Sequence, residues 1–286
     1  MSTLMSAKSM RRPLLQNKFM ACVLVVFVSL CLVSIVGPFL IGDAATQSSP
    51  AQRLLGPTWL GGDGGLLGTD QQGRPMAYRL ILGLRTTLIV GALAVTCGAV
   101  IGVLAGLAAG FYGGRVEVLV MRLAEIQMSF PALLLAMTII ATAGGGLTIV
   151  VLALGLNSWM VYAILVRSTL LQYRSNDFIL ATVNLGAKPS RIMFGHLLPN
   201  STPTVMAMAT LEVARIMLAE ATLSFLGFGV QAPTVSLGSI LGEGREYMLT
   251  HWWITTFAGL MLALTVLCAN LLGNWAQRIS DPLGNR

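Results

Sequence analysis

Three ionisable residues lie close together in a stretch that is otherwise apolar. Glu212 and Arg215 are three residues apart, so on a helix they share a face and can form an ion pair, and Glu220 lies about two turns beyond Glu212. Ionisable groups at membrane depth are costly unless they are paired or hydrated. Two interpretations stay open for Glu212, Arg215 and Glu220: a buried structural ion pair, or the lining of a polar path through the membrane.

The sequence lacks the motifs of catalytic, nucleotide and metal sites. Lys188 is not preceded by the glycine pattern of a phosphate-binding loop, and His196 and His251 are far apart, with no HExxH or GxSxG motif. Four cysteines fall inside apolar runs, without the spacing of a zinc site: Cys22, Cys31, Cys97 and Cys268. We therefore predict a chain that is not an enzyme and that holds no metal or cofactor of its own.

The composition indicates a membrane protein. Of the 286 residues, 55% are hydrophobic and 10% are charged, and the mean hydropathy is +0.78. Several apolar runs reach about 20 residues, the length that crosses roughly 30 Å of hydrocarbon. The net charge of +7 does not come from a Lys/Arg block with interleaved aromatic residues, so we expect no binding to nucleic acid.

Apolar runs and their flanking charges predict an all-α fold with six transmembrane helices. The predicted spans are 19–41, 86–111, 118–143, 147–170, 201–224 and 253–275. The first run is too long for a signal peptide, so it is predicted to be an uncleaved helix. With both termini in the cytoplasm, twelve of the eighteen Lys and Arg residues fall on the cytoplasmic side and five on the outer side, as the positive-inside rule requires.

We divide the chain at residue 85. Residues 1–85 form a cytoplasmic tail, the first span and an outer segment, in which Gly42 to Arg85 is predicted to form an ordered cap or short interfacial helices instead of a separate domain. Residues 86–286 form the transmembrane core. Four glycines spaced four residues apart predict a face of close helix packing, within this chain or with another: Gly98, Gly102, Gly106 and Gly110. Pro131 is predicted to bend the third span.

The connector at 171–200 contains a predicted helix-turn-helix that projects into the cytoplasm. Asp177 can start a short helix, Gly186 permits a turn, a second helix follows from Pro189 to His196, and Pro199 closes it. Ile192 and Met193 share one face of the second helix. Apolar residues exposed there need a partner groove, so the sequence predicts a docking element.

This stretch resembles the EAA loop, which couples the transmembrane subunits of bacterial ABC importers to their ATPases. The matching positions are Ala181, Gly186, Ala187, Ile192, His196, Leu198, Pro199 and Asn200. Lys188 and Arg191 lie in the same loop and are expected to take part in the coupling. Leu180 and Thr182 stand where the family pattern has Glu and a second Ala, so a role of that Glu cannot be transferred.

Three further blocks are similar to the C-type subunit of the dipeptide, oligopeptide and nickel permease group. The first block is LLGTDQQGRPMAYRLILGLRTTL at 66–88, in which Pro75 and Tyr78 depart from the pattern. The second is GFYGGRVEVLVMRLAEIQMSFP at 110–131. The third is LAEATLSFLGFGVQAPTVSLGSIL at 218–241, where Leu237 replaces an aromatic residue. Asp70, Arg74 and Arg79 of the first block are expected to contact a solute-binding protein.

The resemblance implies a type I ABC importer permease fold in a bacterial inner membrane. It also implies a homologous second permease subunit, two ATPase subunits that bind ATP and Mg, and a periplasmic or lipid-anchored solute-binding protein. Peptides are the expected solute, with nickel chelates or glutathione as alternatives. An ion-coupled secondary carrier is a competing class, although the sequence shows no clear inverted repeat. A membrane scaffold protein is a weaker third option.

Overall fold

The structure is a computed structural model that describes residues 18–42, 48–174 and 188–280. Within these ranges the chain is almost wholly helical and forms no β-strand, which confirms the predicted all-α class. The helices are α1 (Lys18–Ile41), α2 (Met76–Tyr112), α3 (Gly114–Met128), α4 (Ala132–Ala143), α5 (Leu147–Arg174), α6 (Pro189–Ile192), α7 (Leu198–Phe225), α8 (Leu237–Gly244) and α9 (Trp253–Ser280).

Each predicted span coincides with helix in the structure, but the count of six spans is not confirmed. By length and apolarity, α1, α2, α5 and α9 can cross a membrane, and the bent pair α3 and α4 brings the number to five. The helix α7 has 28 residues yet does not qualify. Its three ionisable side chains and its polar first turns lower the apolarity of a helix that is otherwise long enough to cross.

The third predicted span is broken at Pro131, where α3 and α4 meet at 89°. This confirms the bend predicted from the missing amide donor of proline. Polar side chains from α5 brace the break. Trp159 Nε1 donates to Gln127 Oε1 at 2.6 Å, and Asn157 Nδ2 donates to the carbonyl oxygen of Ala132 at 3.0 Å. These two bonds tie the last turn of α3 and the first turn of α4 to one turn of α5.

The four glycines of α2 form the contact between α2 and α5, so their packing partner lies within this chain. A methyl group at Gly106 would lie 2.6 Å from the carbonyl oxygen of Ala163, closer than atoms can approach. The other three positions face α5 in the same manner, opposite Ser158, Trp159 and Leu170. Glycine at each position lets the two helix backbones come close together.

Residues 48–75 form the predicted ordered cap, built from turns and two short 3-10 segments, Pro50–Gln52 and Thr58–Leu60. The amide of Leu54 donates to the carbonyl of Asp70 at 3.0 Å, which ties the two halves of the cap together. Trp253 Nε1, at the start of α9, donates to the carbonyl of Thr69 at 3.2 Å. The helix α2 begins at Met76, so the boundary drawn at residue 85 falls inside a continuous helix.

The cap and the described part of the predicted docking element, which begins at Lys188 and which we call the docking segment, lie at opposite ends of the bundle. The 37 residues of α2 span roughly 55 Å at 1.5 Å per residue, more than the thickness of a bilayer core. The cap joins the first turn of α2, whereas Ile192 of α6 packs against Leu107 near its last turns. A conformational change at one end can therefore reach the other end only through the helices between them.

Candidate functional site

The docking segment is described from Lys188 onward, and the predicted coupling residues Ala181, Gly186 and Ala187 lie outside the described residues. The prediction that Pro199 closes a separate helix was wrong. The chain runs from α6 through a π-helical turn, Met193–Leu197, directly into α7. A π-turn shifts the hydrogen-bond pattern by one residue, and Pro199 then falls in the first turn of α7, where its missing N–H is not needed.

The apolar face of the docking segment is buried in the chain's own bundle. Ile192 and Met193, with Leu197, pack against Leu107, Val166 and Leu170 of α2 and α5. The expectation that Ile192 and Met193 are exposed for a partner was therefore wrong. Their burial fixes the segment rigidly to the ends of two spanning helices.

The exposed face of the docking segment carries two cations and one aromatic ring. Lys188, Arg191 and Phe194 follow at three-residue spacing on one side of the segment, and the Phe194 side chain is 50% exposed. Sequence analysis missed Phe194. Its three-residue spacing from Arg191 could have indicated that it lies on the exposed face, opposite Ile192 and Met193. Of the other predicted residues, His196 and Leu198 are partly buried and Pro199 is exposed.

A second group of candidate residues forms an ion cluster where the cap meets α2 and α8. Arg79 Nη1 donates to Asp70 Oδ2 at 2.8 Å and to Glu243 Oε2 at 2.8 Å, and Arg79 Nη2 donates to Glu243 Oε1 at 3.1 Å. Arg74 Nε donates to Asp70 Oδ2 at 2.6 Å. Sequence analysis named Asp70, Arg74 and Arg79 as expected contacts of a solute-binding protein, not as an ion cluster, and it missed Glu243, because 164 residues separate Glu243 from Arg79.

Burial divides the ion cluster into an inner and an outer part. Asp70 and Arg79 are fully buried, whereas Arg74 and Glu243 reach the surface at a cavity of about 300 Å³. Of the four charged side chains, Arg74 and Glu243 are therefore the accessible ones. Burial alone would raise the pKa of Glu243, but hydrogen bonds and charges from Arg79, Gln71 and Arg74 outweigh it and lower that pKa.

The ion pair predicted from spacing in α7 is present. Arg215 donates to Glu212 Oε2 from Nε at 3.1 Å and from Nη2 at 2.9 Å. Glu212 is buried, but the Arg215 side chain is 53% exposed. It lines a groove between α4, α5 and α7 together with Asn157 and Thr222. At 1.5 Å per residue, Arg215 lies about 25 Å from the start of α7 and about 15 Å from its end, so it is well removed from both ends of the helix.

Glu220 lies apart from that pair, inside the contact between α2, α7 and α8. It is fully buried and accepts hydrogen bonds from Ser224 Oγ at 2.6 Å and from Thr87 Oγ1 at 3.2 Å. Thr87 Oγ1 in turn accepts from the amide of Leu237, the first residue of α8. The structure thus brings Glu212 and Arg215 together and gives Glu220 a separate, enclosed position.

The comparisons with known proteins agree with this architecture. The family described as "Binding-protein-dependent transport system inner membrane component" matches residues 98–283. The dipeptide transport system permease protein DppC of Alkalihalophilus pseudofirmus is 34% identical over 274 residues, which cover 95% of this chain and 88% of that protein. The di/tripeptide transport system permease protein DppC of Pseudomonas aeruginosa is 38% identical over 231 residues, 80% of this chain and 76% of that protein.

Solved structures support the fold. A chain of the MetNI methionine ABC transporter, crystallised in an inward-facing conformation, superposes with a TM-score of 0.59 at 22% identity, covering 72% of this chain and 98% of that chain. The protein is therefore a member of the binding-protein-dependent transport system inner membrane components, the permease subunits of ABC importers.

Proposed function

We propose that the chain is the C-type permease subunit of an ATP-driven importer of dipeptides or oligopeptides. The observation that carries the proposal is the similarity to permeases named for dipeptide transport, which extends over 95% of the chain. The complex contains a homologous second permease subunit, two ATPase subunits and a solute-binding protein on the outer side. The chain itself is not catalytic, and ATP and Mg are bound by the ATPase subunits.

In the membrane, both termini and the docking segment face the cytoplasm, and the cap faces outward. Two observations support this orientation. The cap and the docking segment lie at opposite ends of α2, and the cations of the sequence are concentrated on the side of the docking segment. The outer ion cluster is then accessible to a binding protein through Arg74 and Glu243.

The docking segment transmits movement of the ATPases to the membrane. Lys188, Arg191 and Phe194 present a surface for the ATPase groove, while Ile192 and Met193 anchor the segment to α2 and α5. The segment is continuous with α7, the helix that carries Arg215. A displacement of the segment therefore reaches the middle of the membrane through one helix, without an intervening linker.

Arg215 is the residue that lines the solute path, and Glu212 holds it in place. A half-exposed guanidinium facing hydrocarbon would be costly, so this face of α7 borders water or another polar surface. Glu220, which is fully enclosed, has a structural role instead. Of the three candidates for the solute path that the sequence offers, Glu212, Arg215 and Glu220, the proposal therefore keeps Arg215.

The test is reconstitution of the full complex in proteoliposomes, with the binding protein added outside. We expect uptake of a labelled dipeptide that requires hydrolysable ATP. If glutathione or a nickel chelate reduces the uptake and unlabelled peptides do not, the chain is still an importer subunit, but its solute is not a peptide. Uptake by the permease alone, driven by a proton gradient, would overturn the proposal in favour of a secondary carrier.

A further inference from the structure

Five exposed side chains at the start of α9 form what we call the outer apolar patch: Trp59, Leu60, Leu66, Leu249 and Trp252. Three of them come from the cap and two from the turn before α9. The Leu249 side chain is 97% exposed, so it has almost no cover from its own chain. Apolar side chains gathered on an outer surface in this way indicate contact with a membrane or with another protein.

The patch has a defined structure. The rings of Trp59 and Trp252 meet edge to face, with their centroids 6.2 Å apart. Trp59 Nε1 donates to the carbonyl oxygen of Leu66 at 2.9 Å, which places Leu66 beside that ring. The neighbouring Trp253 is buried and bonds to the cap through Thr69. The two segments are therefore fixed relative to each other and to the first turn of α9.

The patch continues into an exposed apolar stripe on α9. Leu260, Leu264 and Leu267 are exposed along one face, and Trp252 lies two turns before Leu260 on the same face. The opposite face, which includes Ile254, Ala258 and Leu262, is buried in the bundle. Because α9 is long and apolar enough to cross the membrane, its exposed leucine stripe lies at the depth of the hydrocarbon core.

We infer that the outer apolar patch is immersed in the lipid surface, with Trp59, Leu60, Leu66 and Leu249 at the boundary between headgroups and acyl chains. The occupant is lipid because the patch is continuous with the exposed apolar stripe of a helix that can cross the membrane. Tryptophan is enriched at this depth since its ring is apolar and its N–H is polar. This contact holds the cap against the membrane surface and thereby sets the distance between the ion cluster and that surface. This inference does not depend on which solute is carried.

The test adds a tryptophan at the most exposed position of the patch, Leu249→Trp, in the complete complex in nanodiscs. The lipid is phosphatidylcholine brominated near the headgroup, which quenches indole fluorescence at short range. The matched control is Ala51→Trp, also exposed on the cap but outside the patch. We expect brominated lipid to remove most of the emission added by Leu249→Trp and to leave that of Ala51→Trp unchanged.

Unchanged peptide uptake and elution volume for both variants will show that the complexes are intact. Equal emission from Leu249→Trp in brominated and ordinary lipid would overturn the inference. Quenching of the added tryptophan by aqueous acrylamide, relieved when the binding protein is added, would also overturn it, because the patch would then be a protein-docking surface. Burial in the lipid surface instead predicts weak acrylamide quenching with or without that protein.

Discussion

Arg79 near the start of α2 forms a two-pronged ion pair with Glu243 near the end of α8, with N–O distances of 2.8 and 3.1 Å. The same guanidinium bonds to Asp70 of the cap. One buried cation therefore joins three parts of the chain, and paired N–H groups of arginine are well suited to such a site. The α8 helix is held at its other end by Thr87.

Replacing Arg79 with Ala will destabilise the outer side of the protein. The change leaves Asp70 with Arg74 as its remaining cation and removes the two-pronged partner of Glu243, so we expect a cost near the lower end of the about 3–5 kcal/mol for breaking a buried pair. Arg79→Lys will restore part of the loss, since an ammonium keeps the charge but not the two-pronged geometry. The measurement is the melting temperature of the purified complex. Arg115→Ala, at an exposed position, serves as the control, and an equal effect of both variants would contradict the role of the cluster.

Because of the outer ion cluster, the protein will become less stable as the pH is lowered into the acid range. The pKa of Glu243 is lowered in the folded protein, so its contribution is complete above the ordinary carboxyl pKa, about 4.3, and is lost as the pH falls through the lower folded value. Melting temperatures measured between about pH 7 and pH 3 will therefore decrease at the acid end. Glu243→Gln will flatten part of that decrease. An unchanged slope in this variant would show that other carboxyls cause it.

The packing of α2 on α5 predicts a strong effect of a single methyl group. In Gly106→Ala the new methyl would meet the backbone of Ala163, so the helices must separate, at a cost of about 1–3 kcal/mol. The matched control is Gly259→Ala in α9, where the nearest atom lies 3.7 Å away. We expect a lower melting temperature only for Gly106→Ala. Equal melting temperatures would show that the contact between α2 and α5 can relax.

The two faces of the docking segment predict opposite kinds of defect. Phe194→Ala removes an exposed ring, so the permease will stay folded but will retain less ATPase after affinity purification and will lose uptake. Ile192→Ala opens a cavity in the bundle and will lower stability by about 2–5 kcal/mol. Ser190→Ala, exposed on the same segment, is the control. ATPase retention unaffected by Phe194→Ala would exclude this face as the contact.

The sequence predicts those features that depend on local spacing. The helices, the bend at Pro131, the glycine face and the pair of Glu212 with Arg215 all follow from residues within a few turns of one another. The partners of Arg79 and Glu220 could not be predicted in this way, since 164 and 133 residues separate Arg79 from Glu243 and Glu220 from Thr87.

The docking segment shows a second limit of sequence reasoning. An apolar helix face predicts that something covers it, but the pattern does not tell whether the cover is another subunit or the chain itself. Here α2 and α5 bury Ile192, so the exposed side chains of the segment, Arg191 and Phe194 among them, lie on its opposite side.

The last prediction separates a path residue from a structural residue on the same helix. The double variant Glu212→Gln, Arg215→Gln removes the half-exposed charge together with the buried carboxylate that it pairs with, so the complex will assemble and melt close to the parent, while peptide uptake decreases. Glu220→Ala leaves the buried hydroxyls of Ser224 and Thr87 without their acceptor, so it will lower the melting temperature. In a double-mutant cycle with Thr87→Val the two losses will not add, because the residues share a hydrogen bond. The assignment fails if the double variant Glu212→Gln, Arg215→Gln prevents assembly or leaves uptake unchanged, or if Glu220→Ala changes uptake at unchanged stability.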